Sequence, residues 1–277
     1  MATDANMNRS TRKVTPMELL TVCGIIAFTA YILFPMFAKA RERYPRSTCP
    51  SNIKQLGIGL IQYVADYDEQ YPVNGCHGTG WAAALYPYEK LTGVFRCPND
   101  TAVAVTTNES TSYPLSYSMN ANLVYFKDRH EVAFRQRELA RLEATVLLFE
   151  TDGTMVDMTK PDEGGAVSPT GFHSGVGNGL SPMPGTGNLT ANGNQIRYAC
   201  GEFPGRGPGT VYGPPRHDPS SVFLCADGHV KMLRPEKIST GRTPAKSATQ
   251  TGNAVSGTAA TSDRLTDGGF TLTFSTR

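Results

Sequence analysis

Residues 15–37 read TPMELLTVCGIIAFTAYILFPMF. The run is apolar almost throughout, yet it carries one acid, Glu18, near its start and one proline, Pro35, near its end. Leu19 to Phe37 would span roughly 28 Å as a helix, which just crosses a hydrocarbon core of about 30 Å. A cleaved secretory signal has a shorter core and a small-residue cleavage site. Here the basic stretch AKARERYPR follows instead, so the segment reads as an anchor that is kept. Arg9, Arg12 and Lys13 precede the run and Lys39, Arg41, Arg43 and Arg46 follow it, which leaves the orientation open on charge alone. An acid at the end of a membrane helix is costly and takes a partner or water. The plainer alternative is that Glu18 sits among lipid headgroups and favours the helix N-terminus electrostatically.

The rest of the composition narrows the field. The chain has 277 residues and a formal charge of +2, enough for one larger domain or two small ones and without the basic surface that nucleic acid requires. It contains no Walker loop, GxSxG elbow, HExxH or CxxC pair. With 28 glycines and 19 prolines, turns, short strands and long irregular loops are expected. Six cysteines, Cys23, Cys49, Cys76, Cys97, Cys200 and Cys225, fit no zinc spacing. In an exported chain Cys49, Cys76, Cys97 and Cys200 are candidates for bridges, whereas Cys23 and Cys225 lie in apolar runs and read as packing residues.

VTPMELLTVCGIIAFTAYILFPMFAKARER, residues 14–43, resembles the N-terminus of type IV pilins and type II secretion pseudopilins. Counted from Val14, Glu18 is fifth and Pro35 twenty-second, the places where that family carries its acid and often a proline. The resemblance implies a leader at 1–13, cut between Lys13 and Val14 by a prepilin peptidase, and a membrane or stalk helix at 14–44. It also implies a subunit that passes from the inner membrane into a filament outside, with copies of itself or with other pilins. Glu18 would then meet the free amine of a neighbouring subunit and set axial register, and Pro35 would loosen the helix. The chain departs from the family at Lys13, where glycine is preferred, and at Val14, where phenylalanine is usual. If the leader stays on, no amine forms at Val14, and the chain is a membrane-anchored relative that does not polymerise.

Downstream, SNIKQLGIGLIQYVADYDEQYP (51–72) places Ile53, Leu56, Leu60, Ile61 and Val64 at helical spacing, which predicts an amphipathic helix from about Ser51 to Tyr67. Pro45 and Pro50 predict a break before it, and Gly57 and Gly59 weaken it. GWAAALYPY predicts a short helix whose aromatics Trp81, Tyr86 and Tyr88 are core rather than a stacking site. SYPLSYSMNANL is expected to be extended, Arg135–Leu142 a short polar helix or turn, and Ala144–Glu150 a buried strand ending at Asp152-Gly153. CPSNIKQ, the helix end YVADYDE and the CPND turn at Cys97 resemble a pilin-like group named for an H-x9-DG motif. That resemblance makes Cys49 and Cys97 the leading disulfide pair. Residues 160–215 read as a long glycine- and proline-rich surface excursion within a globular domain at 45–238.

RHDPSSVFLCADGHVKML (216–233) supplies the motif itself, His217, nine residues, then Asp227 and Gly228. Its residues predict a hairpin with its turn at Asp227-Gly228, with His217 capping the loop. A metal or catalytic set of His217, Asp227 and His229 is the competing reading. Ten extended residues cover up to about 33 Å, so a strand between His217 and Asp227 would hold them apart. For calcium, Asp66, Asp68 and Glu69, or Asp152 and Asp157, are donors of the right kind, but none has EF-hand spacing and no site is assigned. The tail at 239–277 reads as flexible, ending in the alternating strand FTLTFSTR, half-buried at a sheet edge. The sequence therefore predicts an α+β, pilin-like protein, a long hydrophobic helix followed by a small antiparallel sheet, structural rather than enzymatic.

Overall fold

The structure, a computed structural model, describes residues 15–72, 80–106, 111–127, 130–163, 176–177, 197–203, 212–240 and 270–276. Lys13, Val14 and Cys76 lie outside them. Helix α1 runs from Pro16 to Asp66. Thr15 starts it with a reciprocal cap. The Thr15 hydroxyl accepts from the Glu18 backbone N–H at 3.3 Å, and the Glu18 carboxylate accepts from the Thr15 N–H at 2.9 Å. This is a capping box with proline at the first helical position, where its missing N–H costs nothing.

The break predicted at Pro45 and Pro50 is not there; helical backbone continues through Pro35, Pro45 and Pro50. Each proline forfeits one hydrogen bond and crowds the carbonyl four residues back. At Pro45 and Pro50 the loss is outweighed by packing just beyond. Ile53, Leu56 and Leu60 are fully buried, each contributing roughly 1.5–3 kcal/mol.

The chain divides into two compact units between Tyr44 and Pro45. In the first, every described side chain from Thr15 to Phe34 is exposed. By length and composition this is a helix able to cross a membrane.

The second unit adds helix α2 (Trp81–Glu89) and the strands β1 (Val105–Thr106), β2 (Thr111–Asn120), β3 (Val124–Lys127), β4 (His130–Ala133) and β5 (Val146–Val156). After these come β6 (Val176–Gly177), β7 (Arg197–Tyr198), β8 (Ser221–Cys225), β9 (Val230–Leu233), β10 (Ile238–Ser239) and β11 (Leu272–Thr273). Among the described residues the main sheet has the order β1-β2-β5-β8-β9, antiparallel throughout, with β6 added beside β2 and β7 beside β5. The protein is therefore α+β.

Both faces of this sheet are covered, which is why β8 reads as a continuous apolar run rather than an alternating one. Val222 and Leu224 face a core shared with Ile53, Leu56, Leu60, Trp81 and Leu85. Phe223 and Cys225 face a second core with Tyr198, Cys200, Phe203, Ile238, Leu272 and Phe274. Glycine at position 57 has a packing reason, since a Cβ there would meet Leu224 Cδ1 at 2.7 Å. The residue that weakens the helix locally lets it sit down on the sheet.

Three further expectations change. The strand predicted to end at Asp152-Gly153 continues to Val156. Leu115 pairs with Thr154, but Tyr117 pairs with Glu150, so the turn-forming Asp-Gly pair is absorbed as a bulge inside a strand that has a long partner. The segment 197–203, read as surface excursion, buries Tyr198, Ala199, Cys200 and Phe203. The terminal strand is not half-buried, because residues 272–276 are all buried. β11 pairs in parallel with β10, and the side-chain amides of Asn120 and Asn122 donate to the Phe274 carbonyl at 3.1 and 2.8 Å.

Candidate functional site

The bulge in β5 organises the most unusual part of the molecule. Glu150, Thr151 and Asp152 stand at the bulge, beside Ser116 and Tyr117 of β2. The turn before β8 brings Arg216 and His217 over them. Glu150 is fully buried. Its Oε2 accepts from the Val222 N–H at 3.0 Å, and its Oε1 lies 3.1 Å from His217 Nε2. A buried carboxylate survives only with such partners.

Arg216 draws the surrounding acids together. Its guanidinium donates to the carbonyls of Ser116 (3.1 Å) and Thr151 (2.8 Å), to Asp100 (3.4 Å) and to Asp152. It also lies 4.0 Å from Glu150 Oε1. Burial alone would lower the Arg216 pKa, and the carboxylates of Glu150, Asp152 and Asp100 more than reverse that and raise it. The guanidinium is therefore a fixed positive charge. Asp100 accepts in turn from the Ser116 hydroxyl at 2.7 Å, and the same hydroxyl accepts from the Cys97 N–H at 2.9 Å.

Cys97 and Cys49 are joined as a disulfide with Cα atoms 5.1 Å apart. Cys97 Sγ lies 3.6 Å from His217 Nε2, and Asn99 Nδ2 lies 3.4 Å from His217 Nδ1. Ligand atoms of Cys49, Cys97, Glu150 and His217 all fall within 4.8 Å of one another. Cys200, which the sequence offered as a bridge candidate, is a free buried thiol that donates to the Glu150 carbonyl at 3.0 Å.

The two halves of the H-x9-DG motif do not meet. His217 is at one end of β8, buried in this cluster, and its backbone exchanges hydrogen bonds with Ser220. Asp227 and Gly228 are at the other end, forming the turn of the β8–β9 hairpin. Asp227 accepts from the His229 N–H at 2.9 Å and lies 2.7 Å from the exposed His229 ring. Lys54 of α1 donates to the Gly228 carbonyl at 2.7 Å. The spacing of nine thus measures one buried strand, pinned to β5 at its start and to α1 at its end.

One of the remaining candidates, Asp152, stands in this cluster. Glu18 lies in the capping box with Thr15, and Pro35 lies within α1. Of the calcium donors considered, Asp66 accepts from Tyr88 (2.9 Å), Glu69 pairs with Arg137 (3.3 Å), Asp157 pairs with Lys160 (3.6 Å), and Asp152 belongs to Arg216. Sequence reading missed Glu150, Arg216 and Asp100. Glu150 was hidden as the last residue of an apolar strand, and only its position at the end of ATVLLFE, facing inward, signals a buried acid that needs partners. Compared with known proteins, the chain matches no family model, no curated protein and no solved structure.

Proposed function

We propose that this chain is a structural subunit of a type IV pilus, or of the pseudopilus of a type II secretion system, and not an enzyme. The observation that supports it is the fully exposed apolar helix Pro16–Phe34, which carries a single acid in its first turn. Side chains such as Tyr31 (80 % exposed) and Met17 (78 %) require lipid or other helices around them. The resemblance of residues 14–43 to pilins supplies the reading. Before assembly the helix sits in the inner membrane; afterwards copies pack helix to helix in a filament outside the cell, alone or with other pilins. Glu18 chooses the register by pairing with a neighbour's new N-terminus at Val14, exposed by a prepilin peptidase acting after Lys13.

Two measurements test this. Sequencing the N-terminus of mature native protein should give Val14. Imaging of sheared surface material should show filaments that disappear in Glu18→Ala while membrane insertion persists. A start at Met1 or Ala2, or filaments indifferent to Glu18→Ala, would sink the proposal.

The second reading is an unprocessed, membrane-anchored surface protein. It is favoured by the capping box, which already gives the Glu18 carboxylate a partner in its own chain. A cleft lined by Tyr63, Tyr67, Tyr86, Pro87, Met158 and Pro161 would serve there for partner binding.

A further inference from the structure

The geometry points to a second use for the Cys49–Cys97 pair: when it is reduced, its two thiolates together with His217 Nε2 and a Glu150 oxygen form a four-coordinate site for Zn²⁺. This inference does not depend on the filament reading.

The donor set is right for zinc. Two thiolates, an imidazole and a carboxylate satisfy its preference for sulfur and nitrogen with one oxygen. The spacing is close to what a tetrahedron demands. With metal–ligand distances of roughly 2.0–2.3 Å, neighbouring ligand atoms sit about 3.3–3.8 Å apart. His217 Nε2 is already 3.1 Å from Glu150 Oε1 and 3.6 Å from Cys97 Sγ. The other pairs of ligand atoms lie within 4.8 Å of one another, and the two sulfurs have to part to roughly 3.8 Å for Zn–S bonds of about 2.3 Å. Side-chain rotation can supply this, because the Cα atoms, 5.1 Å apart, are set by α1 and the CPND turn.

The electrostatics also favour a cation. Asp100, Glu150 and Asp152 set three carboxylates against one guanidinium, Arg216. Asp100, Glu150 and Arg216 are buried, so an excess of one negative charge among them is little screened by solvent, while Asp152 is partly exposed. Nearby, the fully buried Tyr117 hydroxyl has no hydrogen-bond partner among the described residues. His217 can be oriented for the role through Nδ1, which faces Asn99. Turning the amide of Asn99 to present its oxygen gives up its 3.4 Å donation to the Arg216 carbonyl and lets Nδ1–H donate, which leaves Nε2 for the metal.

Bridge and metal exclude each other, because both use the same two sulfurs. Closing the bridge takes two electrons from the thiolates. A small-molecule disulfide accepts them, breaks its own S–S bond and leaves as two thiols that take two protons from water, and Zn²⁺ departs unchanged in charge. Reduction by a trialkylphosphine reverses the bond change, the phosphine ending as its oxide with oxygen from water. Metal uptake then releases the thiol protons. In a chain that starts in a reducing compartment and finishes in an oxidising one, the ion holds the Cys49 and Cys97 segments together until the covalent bridge replaces it.

The test uses the full chain in detergent micelles, phosphine-reduced or oxidised, with Co²⁺ as a spectroscopic stand-in for Zn²⁺. The reduced chain should bind one Co²⁺ with the visible absorption of a tetrahedral thiolate site, and the oxidised chain none. X-ray absorption on the Zn²⁺ form should count two sulfur and two nitrogen or oxygen neighbours, a measurement that needs no variant. Cys225→Ser should keep the site and His217→Asn should lose it. A reduced chain that binds nothing, equal binding by the oxidised chain, or any other sulfur count overturns the assignment.

Discussion

Nε2 of His217 lies 3.1 Å from Oε1 of Glu150, and solvent reaches neither side chain. The contact ties the turn before β8 to the middle of β5. Its other supports, Arg216 on the acid and Val222 N–H on the second oxygen, make the arrangement a network rather than a pair. Truncating one member of such a network leaves the others buried and unpaired. Glu150→Ala should therefore destabilise the second unit by roughly 3–5 kcal/mol, read as a fall in denaturation midpoint. The double variant Glu150→Gln/His217→Gln should cost less than the sum of the two single changes. Strict additivity would mean that the residues do not act together.

Gly228 has φ +83° at the tip of the β8–β9 hairpin, and a Cβ there would meet Ile61 Cδ1 at 2.9 Å. Gly228→Ala therefore adds a backbone penalty of roughly 1–2 kcal/mol to a clash with α1. Thermal unfolding should show a loss of at least that size. Shortening Ile61 to Val in the same chain should return part of it.

High pH should weaken the fold. Burial, against the nearby Lys231 and with help from Asp227 and Glu143, pushes the Cys225 thiol from 9.0 up to about 11. Burial likewise raises Cys200, Tyr71 and Tyr117. The folded state holds these protons more tightly than the unfolded chain does. Their stabilisation is complete below about pH 9 and is lost as pH rises through the folded values. For Cys225 the loss by pH 11 is about 2–3 kcal/mol. Unfolding free energies between pH 8 and 11 check the slope, which should be shallower in Cys225→Ala.

The acid at the head of α1 has two separable jobs. Thr15→Val removes the hydroxyl half of the capping box, costing about 1 kcal/mol of helix N-terminal stability, but leaves the Glu18 charge. Under the filament reading Thr15→Val still assembles and Glu18→Ala does not. Equal loss of filaments in both would assign Glu18 to capping alone.

Much of the secondary structure was legible because local pattern and tertiary context agree. VFLCADGHVKML is a hairpin by composition and is one in the structure. The period of Ile53, Leu56, Leu60, Ile61 and Val64 is helical, and all of these but Ile61, which is 46 % exposed, are buried. Reading failed where context overruled a local signal. Asp152-Gly153 looks like a turn but becomes a bulge because β2 offers partners on both sides of it. Pro45 and Pro50 look like a stop, but packing carries the helix past them. The buried cluster was only half legible. His217 stood out through its spacing from Asp227, yet its ring lies against Glu150, sixty-seven positions away. No periodicity encodes such a contact, since it arises from the order in which strands assemble. That order also explains why the motif's two ends never share a site.

The seam between Asn120, Asn122 and Phe274 has a consequence for how this domain comes into being. Ribosomes deliver residues 270–276 only after every other described segment, and Leu272 and Phe274 complete the core beneath β8. Until they arrive, Phe149, Tyr198 and Phe223 have an incomplete hydrophobic enclosure, and the asparagine amides lack the carbonyl they grip. A polypeptide made from its first residues onward thus stays pliable until this late strand arrives, and locks only then.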